Sequence, residues 1–123
     1  MFTAPRILVS SLSVFDASFA KAGEVTVPRR DFHALSFRLS GRITVETENE
    51  RLLSSAGELT FVPQGISYRT EILEDSRIYV VHFNTVDSYP KPSPFVVAPP
   101  YPVVLRNLFA GLFSRYRVGM EHD

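Results

Sequence analysis

The stretch at residues 57–84 reads GELTFVPQGISYRTEILEDSRIYVVHFN and carries the clearest fold signal in the chain. It contains three short runs rich in Val, Ile, Phe, Thr and Tyr, which suit a pleated, half-buried surface. We predict strands over 59–62, 67–72 and 78–84, and a tight turn at Pro63-Gln64-Gly65. Short strands divided by turns are typical of a β-sandwich or a small barrel.

The same pattern extends toward the N-terminus, where we predict strands over 7–15, 24–27, 33–39 and 42–47. Gly41 interrupts the last two. Side chains alternate along the strand over 33–39, because successive residues of a strand point to opposite faces. One face carries Leu35, Phe37 and Leu39, and the other carries Ala34, Ser36 and Arg38.

The composition changes at Tyr89, after which prolines exclude a central strand or a helix interior. They are Pro90, Pro92, Pro94, Pro99, Pro100 and Pro102. We predict an extended strap over 89–103 that lies against the barrel through residues 95–97. Beyond it a helix is indicated by apolar residues at helical spacing, namely Leu105, Leu108, Phe109, Leu112, Phe113 and Tyr116. This wide stripe packs either onto the barrel or against a second copy of the chain.

Length, charge and cysteine content exclude several classes of protein. A chain of 123 residues suits one domain. Thirteen basic and thirteen acidic residues give no net charge. This argues against a chain that binds nucleic acid by itself, because such binding needs an excess of Lys and Arg facing the phosphates. The absence of Cys excludes disulfides and Cys-ligated zinc, and it fits a cytoplasmic location. No stretch approaches the ~20 apolar residues of a membrane span, so we expect no membrane partner.

Three segments together resemble a known family. The spacing Gly57-x5-Pro63-x-Gly65-x2-Tyr68 resembles the second motif of the cupin superfamily, and residues 33–41, HALSFRLSG, resemble the close of the first. With residues 78–84, IYVVHFN, the set resembles the N-terminal cupin domain of AraC-family transcription regulators over about residues 24–85.

The resemblance implies a mainly β fold, a cupin double-stranded β-helix (jelly-roll) barrel with a C-terminal α-helix. We expect the barrel over 1–88, the strap over 89–103, and over 104–123 a helix that begins a dimerisation or linker region. It also implies a barrel that senses a small-molecule effector, a homodimer formed through the C-terminal helix, and no catalysis. DNA is then contacted only through a helix-turn-helix domain outside these residues, so we expect a fragment of a longer, cytoplasmic regulator.

The metal ligands of the cupin motifs are absent. Counting back from Gly41, the motif's Glu falls at Ala34, and its last His position is Tyr68. The two earlier His positions fall at Pro28 and Arg30, or at Val27 and Arg29. Metals in such sites need converging His and carboxylate ligands. We therefore expect no metal and no cofactor.

The candidate effector contacts follow from the inward positions of the resemblance and the two-residue side-chain period. Tyr68 and Ala34 occupy inward positions of the two motifs, which brings their strand neighbours inward, and the last strand follows the same parity. The candidate set is Ser36, Arg38, Tyr68, Thr70, Val80 and His82.

Arg38 is the most informative of these residues, because a guanidinium cannot shed its charge and is costly to bury without acceptors. Its fork suits a carboxylate or phosphate ligand. An anionic or a polyhydroxy group is expected near Arg38, so the effector is expected to be a sugar or an anionic metabolite. The alternative places Arg38 near the barrel mouth, paired with a local Glu or reaching to water.

Several other residues have two interpretations. His82 either forms a hydrogen bond with the effector or is a hydrogen-bonded core histidine, and Arg29 with Arg30 is either a solvated pair or a ligand contact. Asp31 and His33 lie too close along one strand to form an acid–base dyad around a substrate. The aromatic residues Phe32, Phe37, Phe61 and Phe83 are predicted to be core side chains.

Two rival functions remain open. A stand-alone cupin enzyme, of sugar isomerase or dioxygenase type, requires converging His, Glu or Asp ligands. A purely structural dimerisation module requires a filled barrel, against which inward-facing polar residues such as Ser36 and Thr70 argue.

Overall fold

The structure is a computed structural model that describes residues 9–86 and 93–122. In chain order the described elements are β1 (Val9–Phe19), β2 (Ala22–Val27), β3 (His33–Ser40), β4 (Arg42–Glu46), β5 (Arg51–Ser55), β6 (Leu59–Val62), β7 (Tyr68–Ile72), β8 (Ser76–Thr85), β9 (Phe95–Val97) and α1 (Pro102–His122). The mainly β class and the C-terminal helix are confirmed.

The strands form two antiparallel sheets, one with the order β1-β8-β3-β6-β9 and one with the order β2-β7-β4-β5. In the described residues the chain passes from one sheet to the other six times, between β1 and β2, β2 and β3, β3 and β4, β5 and β6, β6 and β7, and β7 and β8. This exchange between two facing sheets is the jelly-roll arrangement. The cupin-like jelly-roll fold expected from the sequence is therefore confirmed.

Glycines with positive φ lie at three of these six crossings, between β3 and β4, between β5 and β6, and between β6 and β7. Gly41, Gly57 and Gly65 lie at the crossings with φ values of 83°, 84° and 81°, a region that other residues rarely adopt. At Gly41 the space is also closed, because an added Cβ would collide with the Ser76 side chain and the Asp75 carbonyl.

Two strands differ from the sequence prediction because of pairing between distant segments. β1 continues to Phe19, beyond the predicted end at residue 15, because it pairs along β8 as far as Ser76. Residues 7 and 8 of the predicted strand lie outside the described residues. β5 was not predicted; its RLLSS sequence lacks alternation, yet it pairs with β4 from Arg51 to Ser55.

The proline-rich strap contributes a short edge strand. β9 pairs antiparallel with β6, which places Phe95 opposite Phe61 and Val97 opposite Leu59. Contact between residues 95–97 and the barrel was predicted, and the structure shows that backbone pairing between β9 and β6 forms this contact. The prolines at 90 and 92 lie outside the described residues. α1 begins at Pro102 and not at 104, as suits a residue that lacks an N–H to pair.

α1 packs one side of its apolar stripe on the outer face of the five-stranded sheet. Phe109 is buried and its ring lies 5.9 Å from that of Phe37, while the Phe113 ring lies 5.7 Å from that of Tyr79. Packing onto the barrel, one of the two alternatives, is therefore what this side of the helix does. Within 9–86 and 93–122, no helix has both the length and the apolarity that crossing a membrane would need.

The other side of α1 remains uncovered in the described structure. Val104, Leu108 and Leu112 recur every four residues and are 55%, 64% and 38% exposed. Residues at this spacing share one face of a helix.

Candidate functional site

A cavity of about 410 Å³ lies between the two sheets. Every strand that borders it contributes alternate residues, as the two-residue period of a strand requires. The lining consists of Phe15, Ala17, Phe19, Val27, Arg30, Phe32, Ala34, Ser36, Arg38, Ile43, Val45, Thr60, Val62, Tyr68, Thr70, Ile72, Ile78, Val80 and His82. A mostly apolar space between two sheets with a few polar groups is typical of a small-molecule site.

The structure places all six candidate residues in this lining. They are Ser36, Arg38, Tyr68, Thr70, Val80 and His82, from β3, β7 and β8. The alternation along β3 is as expected, because Phe37 faces α1 while its neighbours Ser36 and Arg38 face the cavity. Contact between these residues and a ligand stays a prediction.

Arg38 is buried beside the buried hydroxyls of Ser54 and Thr60, and we call this part of the cavity its closed end; 2% of the Arg38 surface is exposed. Its Nε donates to Oγ of Ser54 at 3.0 Å, and its Nη1 has no hydrogen-bond partner among the described residues. The alternative that placed Arg38 at the mouth beside a Glu is wrong, since each ion pair described joins other, more exposed side chains. Desolvation lowers the Arg38 pKa to about 10, so the side chain stays charged at neutral pH.

Ser54 and Thr60 extend the contact of Arg38 across the barrel. Their hydroxyl oxygens lie 2.6 Å apart, and Ser54 is fully buried. Ser54 belongs to the four-stranded sheet and Thr60 to the five-stranded sheet, so the pair joins the two sheets at this end. Neither residue was predicted as part of the site; the only signal in the sequence was the position of Thr60 between Leu59 and Phe61 on a predicted strand.

Tyr68 and Thr70 add two hydroxyls from β7. Thr70 is buried and its Oγ1 has no hydrogen-bond partner among the described residues. Burial raises the pKa of Tyr68, and the charges of Arg30 and Arg38 oppose this rise. Tyr68 is therefore a protonated phenol at neutral pH and can donate a hydrogen bond.

His82 is held by aromatic rings and not by hydrogen bonds to the described residues. Its ring stacks on Phe32 at 4.1 Å and meets Phe15 edge-on at 4.6 Å. Burial, assisted by the charge of Arg30, lowers the His82 pKa to about 4, so the imidazole is neutral at pH 7. The prediction for Phe32 needs correction, because this ring forms part of the cavity wall.

Arg30 and its neighbours stand at the rim. The Arg30 guanidinium lies 5.6 Å from the centre of the Phe32 ring, and its side chain lines the cavity. A second hollow of about 340 Å³ is lined by Arg29, Arg30, Asp31, Gln64 and Gly65. The two arginines therefore do not act as one pair, because Arg30 alone lines the large cavity.

His33 belongs to the opposite side of the sheet. Its Nδ1 accepts a hydrogen bond from the Gln64 backbone N–H at 3.1 Å, and its ring packs against Phe61 and Phe83. Burial lowers its pKa. Asp31 is exposed before β3, so these two residues do not converge on the cavity. Among residues 9–86 and 93–122, no group of three or more His, Asp or Glu side chains could hold a metal ion.

Comparison with known proteins gives the family context of this cavity. A family model described as an AraC-binding-like domain matches residues 4–115. No curated sequence matches the chain significantly.

Solved structures share the fold at low sequence identity. ToxT from Vibrio cholerae is 10% identical with a TM-score of 0.63, over 86% of this chain and 49% of that chain. A cupin-2 domain protein from Shewanella frigidimarina is 17% identical with a TM-score of 0.51, over 66% and 80%. The EutQ protein of Clostridium difficile is 13% identical with a TM-score of 0.53, over 63% and 65%. The chain thus spans about half of ToxT and less than two thirds of EutQ, and the likeness concerns the fold alone.

Proposed function

Because this chain belongs to the AraC-binding-like domain family, we propose that it is the effector-sensing and dimerisation domain of a transcription regulator. The observation that carries the proposal is the mostly apolar cavity with a buried, incompletely paired cation, Arg38, at its closed end. A filled structural barrel has no use for such a space, which costs dispersion contacts and charge desolvation. An effector that enters the cavity restores the dispersion contacts and supplies a partner for the buried charge.

The strands that line the cavity also support α1, and this gives the effector a physical route to the helix. On β3, Arg38 faces the cavity while Phe37 packs on Phe109 of α1. On β8, Val80 faces the cavity while Tyr79 packs on Phe113. An effector that favours one arrangement of these strands therefore favours one position of α1, and occupancy of the cavity can affect a distant site in this way.

The uncovered face of α1 supports the second half of the proposal. Val104, Leu108 and Leu112 present exposed apolar side chains on one face of the helix, and a second copy of the same helix can cover them. An effector that repositions α1 then changes the geometry of the dimer. DNA contact belongs to a separate domain of the regulator, and this role places the protein in the cytoplasm.

Cavity filling tests the sensing function without knowledge of the effector. Ala34 lines the cavity, so Ala34→Phe occupies part of the space, whereas Ala56→Phe places the same ring in an exposed turn. We expect compounds from a metabolite library that raise the melting temperature of the wild-type chain to act equally on Ala56→Phe and to lose their effect on Ala34→Phe. Stabilisation that survives in Ala34→Phe contradicts the proposal, and turnover of a compound with bound metal favours the cupin enzyme instead.

A further inference from the structure

We propose that the cavity binds a small carboxylate anion with an apolar body, and that Arg38 holds its carboxylate at the closed end. The inference rests on the proposed function, because it names the ligand class of the same cavity. It also decides between the two effector classes left open by the sequence, in favour of the anion over the sugar.

The charges around the cavity are the first argument. Among the lining residues there are two arginines and no Asp or Glu, so the described wall carries positive charge without internal compensation. Arg38 is almost completely buried, and its contact with Ser54 satisfies Nε and leaves Nη1 open. A buried charge without a partner is strongly unfavourable, so an anion from outside the chain is the natural partner of this guanidinium.

The direction of the hydrogen bonds at the closed end is the second argument. Ser54 Oγ accepts from Arg38 Nε, and the only described acceptor for its own proton is Thr60 Oγ1 at 2.6 Å. Either hydroxyl can be the donor of this pair; when Ser54 donates, the Thr60 proton is free, and Thr60 lines the cavity. Arg38 also lines this end, so in that arrangement both residues offer donors, and a carboxylate oxygen accepts from several donors at once.

The absence of carboxylate and amide side chains argues against a sugar. A polyol must donate its own hydroxyl protons, and the described lining offers only the hydroxyls of Ser36, Thr60, Tyr68 and Thr70 and the imidazole of His82 as side-chain acceptors, with no Asp, Glu, Asn or Gln. Twelve of the nineteen lining residues are apolar, which suits a hydrocarbon body. The volume of about 410 Å³ exceeds the ~150 Å³ that encloses a benzene ring, so a substituted ring or a medium-length chain fits.

The test compares matched acids and amides by isothermal titration calorimetry at pH 7.5. The probes are 3-phenylpropionate, octanoate and indole-3-acetate, each with its neutral primary amide, together with phenyl phosphate and L-arabinose. We expect saturable binding of at least one acid to the 123-residue chain, about ten- to a hundredfold tighter than its amide, as befits one charged hydrogen-bonding contact.

Variants locate the contact. Arg38→Met should lose the preference for acid over amide, and Arg38→Lys should keep part of it. Arg42→Met is the control, because Arg42 is exposed and pairs with Glu74. Circular dichroism verifies that each variant is folded, and the acid–amide comparison in the wild type needs no variant.

Each contrary outcome has its own meaning. Binding of an amide, the phosphate or arabinose at least as tight as that of every acid overturns the carboxylate inference and leaves an effector-binding domain. Retained acid preference in Arg38→Met overturns the role of Arg38 in the same way. If no acid binds, the inference is wrong; if the library screen with Ala34→Phe also finds no cavity ligand, the proposed function is wrong as well.

Discussion

Arg38 of β3 donates from Nε to the hydroxyl of Ser54 in β5 across 3.0 Å, and this buried bond joins the two sheets of the barrel. The Ser54 hydroxyl lies 2.6 Å from that of Thr60, back in the first sheet. These residues close one end of the cavity with a charge that no acidic side chain among the described lining residues neutralises. The Arg38 guanidinium therefore destabilises the ligand-free fold, and it stabilises the complex with an anionic ligand.

Ser54→Ala and Arg38→Met should affect stability in opposite directions. Ser54→Ala leaves a buried guanidinium with one acceptor fewer, so we expect a loss of about 1–3 kcal/mol in the free energy of unfolding. Arg38→Met removes the buried charge and keeps an apolar stem, so the ligand-free variant should be at least as stable as the wild type. Urea denaturation measures both.

The matched control is Ser55→Ala, whose hydroxyl makes no hydrogen bond to the described residues, and it should change stability little. In the double variant Arg38→Met with Ser54→Ala, most of the loss should be recovered because no buried charge remains. A destabilised Arg38→Met would indicate that the guanidinium supports the fold and is not held ready for a ligand.

Protonation of His82 should lower the free energy of unfolding in weak acid. Its folded pKa is about 4, below the ordinary value of 6.5, so the unfolded chain binds the proton first. Its contribution to stability is complete above pH 6.5, declines as the pH falls through this range, and is lost by about pH 4. In His82→Phe, which keeps the ring contacts, this part of the decline should vanish.

The measurement is urea denaturation at pH 7, 6, 5 and 4 for both proteins. The half-buried His33, whose pKa is also lowered, remains in both proteins, so its contribution cancels in the comparison. Parallel stability curves between pH 6.5 and 4 would show that the His82 pKa is ordinary in the folded protein.

Gly41 should be intolerant of a side chain, whereas Gly111 should accept one. Gly41→Ala combines a φ of 83° with a collision against Ser76 and the Asp75 carbonyl, so we expect a loss of at least about 2 kcal/mol. Gly111 lies in α1 with open space around it, and Gly111→Ala should gain up to about 1 kcal/mol from helix propensity. Thermal unfolding of the two variants checks this, and equal effects would refute the assigned crossing.

The two sides of α1 should separate folding from assembly. Phe109→Ala opens a hole against Phe37 and should cost about 3–5 kcal/mol. Leu108→Lys changes a residue that is 64% exposed, so the fold should persist while the proposed dimer dissociates. Light scattering coupled to size-exclusion chromatography measures the mass; a Leu108→Lys variant that stays dimeric would place the dimer interface elsewhere.

The period of the strands explains what the sequence could predict. The alternation along residues 33–39 indicated correctly that Ser36 and Arg38 share a face, because a strand has only two faces. The motif spacing from Gly57 to Tyr68 supplied the inward position of β7. Neither inference needed knowledge of which strands pair.

Contacts between distant segments explain what the sequence could not predict. The partner of Arg38, Ser54, lies on a strand whose two leucines are adjacent and give no alternating signal. Phe32 precedes β3, so no strand parity directed its ring toward His82. The apolar stripe of α1 was too wide to show which residues meet the sheet and which remain exposed.

The central claim is that the space between the sheets is a ligand site coupled to α1, and backbone amide shifts in a ¹H–¹⁵N spectrum test it most directly. Titration with the tightest-binding acid should shift the amides of Ser36, Thr70 and Val80 saturably, with a smaller response at Phe109, and leave exposed Leu53 unchanged. Shifts confined to the outer hollow around Arg29 and Gln64, or no saturable shift among the cavity residues, would contradict the account.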